Sequence, residues 1–309
     1  MDESCLVTGG AGFIGSHLVN ALLDAGHPVR VLDDFSTGRR ANLDPRAELL
    51  EGDVRDADAV RRAVSGAGVV FHLAALASVT QSVERPLECN AINVEGTLGL
   101  LRAAARAKAR RVVFASSTAV YGEAAPPVAE SCPKRPISPY AASKLAGELL
   151  CATAAAHFGV ETVGLRFFNV YGPRQDPSSA YAAVIPIFIG RLLAGRPLPV
   201  CGDGEQTRDF VFVGDVVDAM RRAAEAPKAS GCVCNVATGR GVSVAELAFV
   251  IGRAAGTPPE LEFLPARAGD IRHSWAEVAA AERDLGFRAA TPLEEGLRRT
   301  VEWFRAMDA

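Results

Sequence analysis

The run Thr8-Gly9-Gly10-Ala11-Gly12-Phe13-Ile14-Gly15 constrains the fold more than any other segment, because it sits where an apolar stretch gives way to a helical pattern. Glycines spaced as Gly9, Gly12 and Gly15 permit a tight strand-to-helix turn, bring backbone close to a phosphate and let the helix pack on the strand. The helix then opens with free N–H groups and the positive end of its dipole turned toward an anion. A turn of this kind grips a pyrophosphate.

The alternation it begins runs on through half of the chain. Short apolar runs recur at Cys5 to Thr8, Val29 to Leu32, Leu49 to Gly52, Val69 to Leu73, Val112 to Ser116 and Thr162 to Phe167, each bounded by Gly, Asp or Ser. They read as strands buried on both faces. Ser16 to Ala25, Ala57 to Val64, Asn90 to Ala107 and Ser138 to His157 read as the helices between them. Strand alternating with helix predicts an α/β fold, a Rossmann doubly wound parallel sheet over residues 1–171. A smaller mixed α/β substrate-binding lobe is expected over 172–309, where loops rich in Pro and Gly take over, with the chain free to cross between lobes. Capping-box patterns start helices at Ser243 with Glu246, and at Thr291, Pro292 and Glu294.

Charge and composition exclude several classes of partner. With 33 basic and 36 acidic side chains the net charge is -3, so nothing attracts the chain to nucleic acid or to an anionic membrane. No apolar run approaches the roughly 18–20 residues that cross a bilayer, and a buried-type strand begins by Cys5 without a leader-like segment. A cytoplasmic protein is the expectation. The seven cysteines are odd in number and scattered through apolar segments, which suits reduced thiols. Cys232 and Cys234 have no His or Cys cluster beside them, and no metal site is expected.

The second predicted strand ends in Asp33 and Asp34. A carboxylate there accepts hydrogen bonds from an adenosine ribose and repels the 2′-phosphate of NADP, so the cofactor reads as NAD. Arg39 and Arg40 lie near enough in sequence to leave some NADP binding open. Asp53 and Val54, after the third strand, are candidates for the adenine pocket.

Tyr140 and Lys144 stand four residues apart just inside a helix that Ser138 can cap and Pro139 can start, so they share one face. An ammonium beside a phenol favours phenolate, as does the positive charge of NAD+, and Tyr140 then becomes a base. Ser116 and Ser117, at the end of an apolar strand, lift this spacing above coincidence.

Together with Phe168-Asn169-Val170-Tyr171-Gly172-Pro173-Arg174, these motifs resemble the extended short-chain dehydrogenase/reductase family, specifically its sugar-nucleotide epimerases and dehydratases. The likeness covers nearly the whole chain. It implies catalysis by Ser117, Tyr140 and Lys144, NAD in the Rossmann half, a UDP-sugar in the smaller lobe, and a homodimer built on the helices holding Asn93 and Tyr140. The implied cofactor site takes in Gly9, Gly12, Phe13, Ile14 and Gly15 at the turn, and Asp33, Asp34, Ser36, Thr37 and Gly38 after the second strand. It continues through Asp53 and Val54, through Leu73, Ala74, Ala75 and Asn93, and through Ser116, Tyr140, Lys144 and Phe167. For Phe167, core packing is an equally good reading. Ala77 stands where some epimerases place a Lys near the cofactor phosphates.

Dehydratases of the family carry Asp and Glu where this chain has Thr118 and Ala119, and the UDP-glucuronate decarboxylases carry a Glu matching Ala119. A hydroxyl and a methyl cannot do that acid/base work. What remains is a 4-epimerase, in which Tyr140 takes the 4-hydroxyl proton, Ser117 hydrogen-bonds that oxygen, and hydride leaves C4 and returns to its other face. On the substrate side the resemblance implies Ser117, Thr118 and Tyr140 at the sugar, and Asn169, Arg208, Arg267 and Asp270 at the diphosphate and ribose. Arginine suits phosphate through forked, charge-assisted bonds. Ser274 matches a gate where a small residue admits a 2-N-acetyl group, and Arg174-Gln175-Asp176-Pro177-Ser178-Ser179 resembles the loop of UDP-N-acetylhexosamine epimerases. A hexuronate is also open. The competing readings are a 4-ketoreductase, a 4,6-dehydratase and a silent dinucleotide-binding regulator. His72 reads as a satisfied buried histidine.

Overall fold

The computed structural model describes residues 3–176, 183–266 and 271–308. Strand β1 (Cys5–Thr8) passes through the glycine turn into α1 (Phe13–Asp24), followed by β2 (Val29–Asp33), β3 (Glu48–Glu51), α2 (Ala57–Val64) and β4 (Val69–His72). Helices α3 (Val79–Glu84) and α4 (Pro86–Asn90), a π-helical stretch at Ala91–Gly96 and α5 (Thr97–Arg106) form the next crossover, to β5 (Arg111–Ser117). A 3-10 turn at Thr118–Tyr121, α6 (Pro139–His157) and β6 (Glu161–Phe167) come next.

The later part holds β7 (Asn169–Tyr171), α7 (Val184–Leu193), β8 (Leu198–Cys201), β9 (Thr207–Arg208), β10 (Phe210–Phe212) and α8 (Val213–Glu225). It ends with β11 (Val233–Val236), β12 (Val242–Ser243), α9 (Val244–Ala255), β13 (Leu261–Leu264), β14 (His273–Ser274), α10 (Ala279–Leu285) and α11 (Leu293–Asp308).

Seven strands form one sheet in the order β11-β6-β5-β4-β1-β2-β3, with every pairing parallel. This is the doubly wound Rossmann α/β arrangement that the alternation predicts. Side-chain alternation along the strands sorts residues into two cores. Val7, Val31, Phe71 and Val113 pack with α1 and α8, while Leu6, Leu32, Val70 and Val112 pack with α2 and α5. The order reverses between β1 and β4, and ligands of such sheets bind in the crevice outside the carboxyl ends at that switch point.

After residue 171 the chain crosses between the two lobes. Helix α8 lies against the first lobe, where the fully buried Arg111 donates from Nη1 to the carbonyls of Ala223, Ala224 and Ala226. A cation at a helix carboxyl end is favourably placed against the dipole, and the same guanidinium holds Glu161 with Nε 2.8 Å away. The chain then adds β11 to the edge of the main sheet before returning to the smaller lobe, whose core joins Phe188, Phe210, Leu247 and Leu297.

One local expectation is corrected. The helix expected from Asn90 to Ala107 contains the π-helical stretch, an extra residue per turn that apolar periodicity does not register. Helix α11 begins at Leu293, just after Thr291 and Pro292, and the Thr291 hydroxyl donates to Asp215 Oδ1 at 3.1 Å, tying α11 to α8. Ser243, by contrast, caps α9 by accepting from the Glu246 N–H at 3.0 Å.

Two glycines are obligatory in the first turn. Gly9 has φ +70°, and a Cβ on Gly15 would lie 2.1 Å from the Gly9 carbonyl oxygen. Backbone on both sides cannot yield cheaply, so Gly15→Ala is expected to cost about 1–3 kcal/mol. An unchanged thermal melt for that variant would contradict the packing described.

Candidate active site

Helix α1 begins at the glycine turn with no side chain capping its first N–H groups, since Gly12 occupies the cap. Asp33, at the end of β2, is almost fully buried, and its Oδ2 accepts from the Ala11 N–H at 2.8 Å while Oδ1 accepts from Phe35 N at 2.9 Å. Burial pushes its carboxyl upward and these backbone bonds oppose the shift. Asp34 Oδ1 accepts from both the N–H and the hydroxyl of Ser36, shaping the loop that carries Thr37 and Gly38. The turn is bounded on its other side by the segment after β4, where Ala74 N donates to Thr8 Oγ1 at 3.2 Å. An uncapped helix terminus, a side-chain-free turn and a buried acid at the next strand end suit the pyrophosphate and ribose of a dinucleotide.

The two arginines near this loop have other partners. Arg39 pairs with Asp176 at 2.8 Å, and Arg40 pairs with Glu51 while lying 4.2 Å from the centre of the Phe35 ring. Asp53 is held by Arg55, which lowers its carboxyl pKa. Val54 is buried beside Gly96. A groove of about 450 Å3 between α2 and α5, reaching Val60, Gly99 and Arg102, shares only Val54 with the predicted site residues.

A chain of buried polar contacts links the turn to α6. Thr8 Oγ1 meets His72 Nδ1 at 2.8 Å, His72 Nε2 meets Thr97 Oγ1 at 2.9 Å, and Thr97 Oγ1 donates to the Asn93 carbonyl at 2.6 Å. Burial lowers the His72 pKa to about 3, so the ring is a neutral strut. Asn93, on the π-helical stretch, accepts from Leu76 N and donates to the Leu76 carbonyl and to Ser143 Oγ. Its amide is thus engaged by protein, and it braces the segment after β4 against α6.

Ser138 caps α6 by accepting from Ala141 N at 3.1 Å, and Pro139 is its first residue. This sets Tyr140 and Lys144 on the face turned to the end of β5. Ser117 Oγ accepts from Ala119 N at 3.1 Å, and its side chain also hydrogen-bonds Tyr140. Ser117 lies beside Phe167 in the parallel register, and Ser116 turns its hydroxyl to Glu148 instead of the crevice. Lys144 Nζ donates to the Ala115 carbonyl at 2.8 Å, 5.1 Å from the Phe114 ring centre and 5.8 Å from that of Tyr140.

Burial dominates the titration of both groups. It raises the Tyr140 phenol, with a hydrogen bond to Ser117 opposing, and lowers Lys144 to about 8. In the protein without cofactor, desolvation is thus the largest influence on the Tyr140 phenol, and it favours the protonated form.

In the smaller lobe, β9 lies between β12 and β14, and its register sets Arg208 directly beside Ser274. Asn169 opens β7, its N–H donating to the Asp209 carbonyl at 3.0 Å. Thr118 follows Ser117 in the 3-10 turn. Arg267, Asp270 and the stretch from Pro177 to Ser179 lie outside the described residues. Sequence reading missed Asp209, whose buried carboxylate accepts from Thr238 N, Thr238 Oγ1, Gly239 N and Ala276 N and so locks the loops around Ser274. The acid between Arg208 and the apolar strand Phe210–Phe212 was its signal. It also missed Glu148 and Arg166. Among the described residues no three His, Cys, Asp or Glu side chains are grouped to hold a metal, and no helix is long and apolar enough to cross a membrane.

Residues 5–237 match the NAD dependent epimerase/dehydratase family. The chain belongs to that family. A UDP-glucose 4-epimerase of Mycolicibacterium smegmatis is 45% identical over 308 residues, covering 97% of this chain and 98% of the relative. Among solved structures, a UDP-N-acetylglucosamine 4-epimerase from Methanobrevibacter ruminantium, in complex with UDP-N-acetylmuramic acid, has a TM-score of 0.95 at 40% identity, over 99% of each chain. The Thermus thermophilus UDP-glucose 4-epimerase, in complex with NAD, has a TM-score of 0.89 at 39% identity, covering 98% of this chain and 99% of the other. NAD is accordingly the cofactor of this family member, and the glycine turn, uncapped α1 and Asp33 fit it.

The buried lysine gives a stability test. Below pH 8 Lys144 is protonated in folded and unfolded chain alike, so its burial penalty is present in full. From about 8 to its ordinary 10.5 the folded chain sheds the proton first and the penalty fades. Lys144→Met is expected to raise the melting temperature at pH 7, by a margin that shrinks toward pH 10. Calorimetry across that range decides it, and a lower melting temperature at pH 7 would reverse the assignment.

Proposed function

We propose that this family member is a UDP-sugar 4-epimerase, inverting C4 of a UDP-hexose through a transient 4-keto sugar. The observation that carries the reading is the meeting of Ser117, Tyr140 and Lys144 at the end of β5, beside a turn that offers Thr118 and Ala119 where elimination or decarboxylation needs carboxylates. The spread of sugars named among the relatives supports the class and leaves the choice of hexose to this chain's own pocket.

When bound, NAD supplies a hydride acceptor, and then a donor, for C4 of the sugar. The backbone N–H groups of Phe13 and Ile14 at the start of α1 hold its pyrophosphate, and Asp33 its adenosine ribose. Tyr140 takes the 4-hydroxyl proton and later returns it. Ser117, with its oxygen engaged by Ala119 N, gives its proton to the sugar oxygen and holds it through both half-reactions. Lys144 holds the nicotinamide ribose and places positive charge beside the phenol. Asn169 and Arg208 contact the diphosphate, joined by Arg267 and Asp270.

The small side chain of Ser274, set against Arg208 by the β9–β14 register, favours a pocket that admits a 2-acetamido group as well as a hydroxyl. UDP-N-acetylglucosamine is therefore expected as a substrate beside UDP-glucose, with UDP-glucuronate as a third test compound. We also infer a homodimer, since Val83, Leu87, Leu98 and Leu149 lie exposed on the neighbouring helices α3, α4, α5 and α6. Leu149→Glu should convert it to a monomer in sedimentation velocity.

The purified protein, incubated with each of the three UDP-sugars without added cofactor, should yield the 4-epimer by NMR. Accumulation of a 4-keto product would point to a dehydratase, and turnover only with added NAD(P)H to a ketoreductase. Tyr140→Phe is expected to lose about 10²–10⁴-fold in kcat while still binding NAD. Unchanged epimerisation by that variant would remove Tyr140 from the role of base.

A further inference from the structure

Behind the reacting residues, α6 is fastened to β5 at two successive turns. Lys144 Nζ donates to the Ala115 carbonyl, and one turn later the Glu148 carboxylate accepts from Ser116 Oγ at 2.5 Å. Glu148 is clamped by Arg166 of β6 in a forked pair, Nε to Oε1 at 2.8 Å and Nη2 to Oε2 at 2.7 Å, with side chains 5% and 4% exposed.

The remaining arginine nitrogen, Nη1, donates to Tyr121 OH at 2.8 Å, and Tyr121 donates in turn to Asn235 Oδ1 at 2.7 Å. Tyr121 ends the 3-10 turn that starts directly after Ser117, and Asn235 lies on β11. One ion pair therefore touches the strand carrying Ser117, the helix carrying Tyr140 and Lys144, and the turn carrying Thr118.

A buried ion pair is poor evidence of stability, because desolvation offsets its attraction and apolar replacements are often neutral or better. Its geometry does something an apolar pair cannot, fixing two elements through directional bonds. We propose that Glu148 and Arg166 are positioning residues, setting the height of α6 along β5 so that Tyr140 and Ser117 meet the same sugar oxygen. Both side chains are buried among protein partners. They act through Ser116 on one side and the Tyr121 turn on the other. The inference rests on the 4-epimerase reading.

The test compares the full-length parent with a Glu148→Met/Arg166→Met double variant, which leaves no unpaired charge, and with Ser116→Ala, which removes only the strand contact. Melting temperature, NAD affinity by calorimetry, and kcat, KM and their pH profiles are measured with the UDP-sugar that the parent turns over. The double variant should melt within a few degrees of the parent and bind NAD within threefold. Its kcat should fall 10- to 100-fold with KM within threefold, and the acid limb of kcat should move up by about one pH unit as Tyr140 loses its alignment. Ser116→Ala should show the same split, three- to tenfold in kcat.

A folded double variant with parental kcat and pH profile overturns the proposal. If the double variant does not fold, Ser116→Ala decides, and a parental kcat there overturns it equally. A parent that epimerises none of the sugars overturns the 4-epimerase reading instead, which separates the two failures.

Discussion

An ammonium group held inside the protein, bonded to the backbone carbonyl of Ala115 and resting near the face of Phe114, is the interaction around which the site is organised. Burying a cation is unfavourable, and desolvation lowers the Lys144 pKa to about 8. Such a group persists only where the surroundings determine its position. Here a parallel strand end, a capped helix and a second helical turn anchored by Glu148 all do so. The same burial that disfavours the charged lysine also raises the phenol of Tyr140.

The cofactor half owes its legibility to covalent and steric rules that act locally. The turn at Gly9 and Gly15 tolerates no side chain, alternation along β1, β2 and β4 sends residues to two cores, and Ser138-Pro139 starts α6 without help from elsewhere. The spacing of Tyr140 and Lys144 could be read for the same reason. What escaped reading depends on distant pairings. Arg166 and Glu148 look like ordinary charges in a strand and a helix, and nothing in sequence shows that both point into one interior. Asp209 bonds residues almost thirty and almost seventy positions away. The π-helical stretch around Asn93 is one residue out of phase with the period that reveals helices.

The burial of Tyr140 was not legible for a related reason. Sequence spacing shows that a lysine stands one turn from the tyrosine, but not that the wall behind both excludes water. Charge attraction is local and can be inferred from neighbours. Desolvation is a property of the assembled sheet, set by Phe114, Phe167 and the helices that cover them, and in this site it is the larger effect.

The edge strand β11 comes from residues 233–236, after the chain has already laid down much of the smaller lobe. During synthesis, then, β6 must wait some seventy residues for its outer neighbour, with one rim of its backbone unpaired and the α8 side of the sheet uncovered. This order also joins the two ligand halves in time, since the sheet that receives the dinucleotide is finished only after the strands carrying Asn169 and Arg208 have been made.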